Sequence, residues 1–418
     1  MSNHNLLPGK RVKRIAAFVP LLTTVLLITA CGGSGTAAAP SGLQNRAFIS
    51  NTYSGNLQIV DTQNDTTAYT AETTNSAGQV VPGVPVTVTV STTVTFEVLS
   101  PDRSTTLVYD PSSFTLWTVN NSMETTSLSL PLAGASSMAV FSPDSSTVYA
   151  PVPSAPVTGA HAGLVQVWDV ASGANTANYT VAAARYAAIS PSGQYLLVFS
   201  DNSDSVTLID TSASPATYVA IPGFARPVNA FFSSDSNTAY VLNCGPECGS
   251  SGAASVAELN IPSKKIEATV PVGGASVGLL NGSTLYVVGS PVPPGTTSTF
   301  DAVDISTMTR LTTNSVPIGD GFHTTMALAQ NQKLYIGANS CSDTTTGCLS
   351  VVNVSTNTAD PPLPPRGAIT SLLAISGRNV VYAIEGGYLN IYDTTTDTLQ
   401  PTQITFTGAL YGIVQVDQ

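Results

Sequence analysis

The stretch Ala135–Val181, which reads ASSMAVFSPDSSTVYAPVP over 135–153 and GLVQVWDVASGANTANYTV over 163–181, decides the fold. Ser137–Phe141 and Thr147–Ala150 carry β-branched and aromatic residues, and the Ser-Pro-Asp-Ser-Ser between them is turn chemistry. Two antiparallel strands are predicted. Leu164–Val170 alternates apolar with polar residues in part and carries Asp169 near its end, where a short carboxylate suits the amides of the next turn. Ala177–Val181 supplies a fourth run, so the stretch reads as one four-stranded antiparallel meander.

The unit recurs in both directions. Upstream lie Thr95–Ser100, Thr106–Tyr109 and Phe114–Val119; downstream, Tyr186–Gly193 with Tyr195–Phe199 and Val206–Asp210, then Asn229–Ser233 with Thr238–Leu242. Later copies pair Val277–Leu280 with Thr284–Val288, Met326–Ala329 with Lys333–Ile336, and Leu372–Gly377 with Val380–Ile384. Near the start, Arg46–Asn51 and Asn56–Asp61 read as second and third strands with no first strand before them. Leu410–Val416, near the end, reads as a first strand with nothing after it. Joining the two completes a blade, closes the ring and removes the exposed edges of a linear array. First strands and third strands each count to eight, so an eight-bladed all-β propeller over 46–418 is expected. Seven blades is the alternative, because Ala71–Thr93 is an extra β-rich insertion that disturbs the register.

The pattern A-x-S-P-x-G/S-x-x-L/V-Y-V followed by V-x-V-x-D/N resembles the YVTN-type β-propeller repeat of the surface-layer and lactonase-like propellers. It is carried by Ser142-Pro143-Asp144, by Ser190-Pro191-Ser192-Gly193, by the column Tyr149, Tyr240, Tyr286, Tyr335 and Tyr382, and by Asp169 and Asp210 closing their third strands. Recurrence at roughly 40–50 residues is specific for a propeller. Lactonase-like relatives show that the fold supports catalysis, but no lactonase constellation is present, and fold alone does not carry function.

Residues 1–30 have the build of an export signal: Lys10, Arg11, Lys13 and Arg14, an apolar run Ile15–Leu27, and small residues before Cys31. The run is too short for the roughly 20 residues of a spanning helix. The segment resembles a bacterial lipoprotein signal, which implies Cys31 as the lipidated residue and 31–45 as lipidated cysteine plus flexible tether. The membrane is then met through the N-terminal lipid only. With no Asp after Cys31, the resemblance points to the cell envelope, on the periplasmic or outer surface of the outer membrane. Removing those four of the 14 Lys and Arg leaves ten against 25 Asp and Glu, a formal charge of −15. Nucleic acid is excluded as a partner, because no basic stripe exists to displace counterions from phosphates. Only 9% of residues are charged, so Ser, Thr, Asn and Gly carry the surface polarity, as suits short strands and many turns.

Two close cysteine pairs, Cys244 with Cys248 and Cys341 with Cys348, each fall within one loop. In an exported chain they are expected to form intraloop disulfides, and their spacings are not those of a zinc site. In a propeller the second-to-third-strand loops and the interblade segments emerge together at the channel mouth. Four such loops are long: Pro151–Ala162, Cys244–Ala254, Ser290–Thr299 and Asn339–Gly347. Interblade positions place Arg185, Tyr186, Arg226, Phe322, His323, Arg366 and Tyr411 at that mouth, which makes them the candidate ligand-binding set. They suggest a locally positive, aromatic mouth for a protein or an anionic glycan, whereas the plainer reading pairs each Arg with carbonyls or with acids such as Asp320 or Asp235.

No catalytic residue, metal site or cofactor is assigned. His161 and His323 are isolated, which starves a His-rich metal centre or a Ser-His-Asp arrangement. Asp61, Asp169, Asp210, Asp304 and Asp393 share the third-strand end and read as turn formers, although Asp304 and Glu258 could meet across the channel as an acid/base pair. Asp201-Asn202-Ser203-Asp204 offers oxygens to calcium, with a hairpin turn as the plainer reading. The expected function is a monomeric binding or scaffolding module working through its loop-rich face. The alternative is a lactonase-like or other hydrolase or lyase acting on an anionic small molecule or glycan at the channel mouth.

Overall fold

A computed structural model describes residues 41–417 apart from 71, 82, 159–160, 291–297, 342–347, 362, 365 and 402–403. The signal segment, Cys31 and most of the tether lie outside the described residues. The fold is a ring of eight sheets. Counted from the channel outward, blade 1 comprises Leu410–Gln415, Arg46–Asn51, Asn56–Asp61 and Thr66–Thr67. The remaining blades start at Glu97, Val140, Ala184, Pro227, Val277, His323 and Ile369, each an antiparallel meander. Eight blades are thus observed rather than seven. Blade 1 closes as the sequence predicts, with Ala47, Phe48 and Ile49 opposite Gln415, Val414 and Ile413.

The insertion interrupts the outermost strand of blade 1. Thr66–Thr67 pairs with one end of Asn56–Asp61 and Thr87–Thr89 with the other, while Thr73–Thr74 and Val80–Val81 form a separate small hairpin between them. Register survives because the chain leaves the strand and rejoins the same sheet.

Eight apolar clusters hold the ring, one at each seam between neighbouring blades. The second strands show why. All of Val380–Glu385 is buried. Val380, Tyr382 and Ile384 enter the seam with blade 1, whereas Val381 and Ala383 enter the seam with blade 7. Alternate side chains point to opposite faces of a strand, so a strand sandwiched between two blades must be apolar at nearly every position. Each large buried side chain contributes roughly 1.5–3 kcal/mol.

Successive strands are antiparallel, which sends first-to-second and third-to-fourth turns to one face and second-to-third and interblade segments to the other. We call these the turn face and the loop face. The turn face is standardised. Arg103, Ser145, Gly193, Ser236, Gly282, Gln332 and Gly377 take positive φ in first-to-second turns, and Asp65, Glu124, Gly173, Lys264, Met308, Asn357 and Asp397 do so in third-to-fourth turns. The third-strand aspartates act as turn formers: Asp169, Asp210, Asp304 and Asp393 accept bonds from Ser172, Ser212, Ser306 and Thr395 amides at 2.8–3.0 Å. Asp304 and Glu258 both belong to third strands, while first strands line the channel, so the structure does not bring them together across it.

Candidate functional site

The loop face is assembled by fastening each interblade segment to a neighbouring second-to-third turn. Around blades 8, 1 and 2 the stitches run without a break. Gly386 N–H donates to Ala368 O, Leu410 N–H to Gly387 O and Thr52 N–H to Ala409 O, all at 2.8–2.9 Å. Ser91 N–H then donates to Gly55 O at 2.9 Å, and the Ser91 and Thr93 hydroxyls donate to Asp110 at 2.5 and 2.8 Å. Gly387, at φ 85°, lies against Ala409, and this tight turn needs the left-handed backbone that glycine adopts freely.

On blade 5 a 3-10 turn, Gly245–Cys248, is crosslinked by the Cys244–Cys248 disulfide. Blade 7 carries the Cys341–Cys348 disulfide. Both intraloop pairings match the sequence expectation. Much of the Ser290–Thr299 and Asn339–Gly347 loops, and the end of Pro151–Ala162, lie outside the described residues.

The candidate residues are distributed rather than gathered. Arg185 forks onto Asp201, with Nε and Nη2 at 2.6–3.0 Å from its oxygens, and donates through Nη1 to Ser137 Oγ at 3.1 Å. Arg226 reaches Asp204 Oδ1 at 3.2 Å and Asn202 O at 2.7 Å. The Asp201–Asp204 turn therefore offers its carboxylates to two guanidinium groups rather than to a calcium ion. The acid partners are Asp201 and Asp204 rather than Asp320 or Asp235; Asp235 instead accepts from Ser233 and Asn237 in its own turn. Arg366 lies beside Glu385 and Tyr392 on blade 8. Arg185 and Arg226 are thus paired with acids of blade 4, which takes those two cations out of the positive mouth expected from sequence.

His323 is buried, with no hydrogen-bond partner at Nδ1, and desolvation pushes its pKa down to about 4 against the pull of Asp320. It is neutral at physiological pH. Tyr186, Phe322 and Tyr411 keep exposed rings.

Glu385 and Glu97 are among the acids that the sequence reading did not single out. Glu385 accepts from Asn390 Nδ2 and Tyr392 Oη, both at 2.6 Å, and burial raises its pKa. Glu97, on the first strand of blade 2, lies over Gly412, where any Cβ would overlap its carboxylate. Its oxygens have no well-formed hydrogen bond; burial raises its pKa to about 8, and nearby Ser50 offsets only part of that. Ser50 instead bridges the seam, donating to Thr95 O at 2.5 Å and accepting from Gly412 N–H at 2.8 Å.

Exposed aromatics at turn tips also escaped the sequence reading. Tyr53 is 80% exposed and Tyr388 63%, with Phe114 on the next turn along. Their signal was a ring inside a tight polar turn: Thr-Tyr-Ser-Gly, Gly-Gly-Tyr and Ser-Ser-Phe. Such turns are ordinarily filled by Gly, Asn, Asp and Ser. Among the described residues, no cluster of His, Cys, Asp and Glu is suited to a metal. A groove of about 630 Å³ runs between Leu311–Pro317 and Thr356–Ala359, at the outer edge of blades 6 and 7 and away from the channel.

No family model matches the chain, and no curated protein sequence does. Solved structures match its fold. It is similar to dihydro-heme d1 dehydrogenase NirN in complex with DHE, at 11% identity and TM-score 0.64, over 91% of this chain and 76% of that one. The β-propeller domain of Cps50 (Swd1) from Myceliophteria thermophila aligns at 10% identity and TM-score 0.53, over 72% of this chain and 96% of that one. A functionally unknown protein from Desulfotomaculum acetoxidans DSM 771 aligns at 15% identity and TM-score 0.50, over 76% and 95%. At such identities the likeness establishes the β-propeller and nothing about activity.

Proposed function

We propose that this protein is an exported, lipid-anchored β-propeller of the cell envelope, of the YVTN type, that works as a binding or scaffolding module through its loop face. One observation carries the reading: the loop face is built for rigidity, with interblade segments bonded to neighbouring turns and two disulfides closing loops on blades 5 and 7. Loops whose ends are fixed by a scaffold are where recognition concentrates, and preorganisation lowers the cost of binding. Phe322 and Tyr411, from the sequence-derived set, would contribute contact area, while Arg185 and Arg226 would hold the loops that frame it.

The test is binding of the full chain to isolated envelope fractions, compared with a Cys244→Ser/Cys248→Ser variant, a variant with Pro151–Ala162 shortened, and a turn-face control, Lys264→Ser. Loop-face changes are expected to weaken binding at least fivefold and the control to leave it unchanged. Equal binding by all four would refute the reading. In the same cells labelled palmitate should mark the wild-type chain and not Cys31→Ala; label on both would remove the anchor.

A further inference from the structure

We propose that the tyrosines of blades 8 and 1, Tyr388, Tyr411 and Tyr53, form a stacking shelf for a neutral oligosaccharide. The proposal rests on the loop face being the working face, and names its ligand class and contact residues.

The three rings belong to segments bonded to one another. Tyr388 follows Gly387, whose carbonyl accepts from Leu410; Tyr411 follows Leu410; and Ala409 O accepts from Thr52, the neighbour of Tyr53, through both amide and hydroxyl at 2.8–2.9 Å. Asn51 secures the same corner, donating to Thr407 O at 2.8 Å and accepting from Tyr53 N–H at 3.1 Å. Tyr53 and Tyr388 therefore stand on short, fixed turns, and Tyr411 at the start of the innermost strand of blade 1. All three are exposed, at 80%, 63% and 39% for Tyr53, Tyr388 and Tyr411. Aromatic side chains on rigid turns supply contact area at low entropic cost, and clustered exposure of this kind marks a binding surface.

Charge decides the ligand class. The segments bearing the three rings are otherwise built from Gly, Ala, Thr, Ser, Asn and Leu, and Arg366 beside them is turned to Glu385 and Tyr392. Arg366 is exposed but already faces Glu385 and Tyr392, so an anionic ligand would have to compete with them for it. None of the large exposed aliphatic side chains belongs to these segments, so tyrosine rings and small polar residues make up the surface. A neutral sugar matches what is present. Its C–H faces lie against the electron-rich ring faces, and its hydroxyls meet the polar tips of Tyr53, Tyr388 and Tyr411 and the side chains of Ser54 and Asn56. Rings on two adjacent blades suit several linked sugar units better than a monosaccharide.

The full chain is tested on an array of neutral and acidic oligosaccharides, and the strongest neutral probe is then titrated calorimetrically against wild type, Tyr53→Ala, Tyr388→Ala and Tyr53→Phe. Binding is expected to be confined to neutral glycans. Each alanine variant should weaken it about fivefold to tenfold, whereas Tyr53→Phe keeps most of it; unchanged melting temperatures show that the variants fold. Binding only to acidic glycans, neutral binding indifferent to both alanine variants, or no neutral binding overturns the proposal, as does a protein partner lost on the same substitutions. If envelope binding depends on the crosslinked loops and not on Tyr53 or Tyr388, the shelf falls and the loop-face reading stands.

Discussion

The two faces of the ring are made by the same strands yet obey different rules. On the turn face each connection spans a few residues and nearly every one repeats a left-handed position, filled by Asp, Glu, Lys, Met, Asn, Arg, Ser or Gln more often than by Gly. Side chains there are spent on neighbouring blades. Tyr335 donates to Asp397 Oδ1 at 2.7 Å, with Lys333 Nζ at 3.0 Å from the same carboxylate; Tyr382 and Arg378 both bond Asp65; Arg46 Nη1 meets Glu124 at 2.8 Å. These contacts fall on three consecutive seams, between blades 7 and 8, 8 and 1, and 1 and 2, the arc on which the chain closes its ring. On the loop face, connections differ in length from blade to blade and rings point to solvent. Closure ties blade to blade through charged staples on the turn face, whereas on the loop face it leaves several aromatic rings exposed.

The largest effect should come from Glu97, buried at the closing seam. The folded protein keeps its proton up to about pH 8, while the unfolded chain releases it near 4.5. Across that interval the folded state holds more protons, so this group's contribution to stability falls as pH rises, by at most about 5 kcal/mol. Urea unfolding of Glu97→Gln between pH 5 and 9 should lack that fall. His323 slopes the other way: it stays neutral when folded down to about pH 4 but protonates near 6.5 when unfolded, so stability is lost as pH falls between them. His323→Gln should flatten the acid limb. Curves parallel to wild type would show that neither burial matters.

Next comes the turn-face staple. Asp65→Ala strips the partner from both Arg378 and Tyr382 and should cost roughly 3 kcal/mol, seen as a lower urea midpoint. A loss equal to that of an exposed turn substitution such as Asp169→Ala would erase the distinction between closing seam and ordinary turn. The smallest effect is expected for Cys244→Ser/Cys248→Ser. A crosslink spanning four residues removes little chain entropy, about 2 kcal/mol at most, so melting should move slightly while loop-face binding drops. A large stability loss would make that disulfide part of the core rather than of the binding face.

The repeat, the ring closure and both disulfides were determined by sequence alone, for a physical reason, while the choice of eight blades over seven waited for the structure. A strand buried on two faces must be apolar throughout, a tight turn must carry turn residues, and cysteines a few positions apart in one loop have few other partners. The insertion at 71–93 was visible as a departure from the repeat, but how its chain leaves and rejoins one outer strand depends on pairing distant in sequence. Tertiary structure alone decided the fate of the charges. Arg185 and Arg226 are legible as interblade cations, yet whether they face a ligand depends on Asp201 and Asp204, brought alongside by the second-to-third turn of blade 4. Glu97 reads as one more polar residue in a strand until Gly412, over 300 residues away, gives its carboxylate a place shielded from solvent. Tyr53, Tyr388 and Tyr411 are scattered in the chain and become one shelf only because the last strand returns to the first blade.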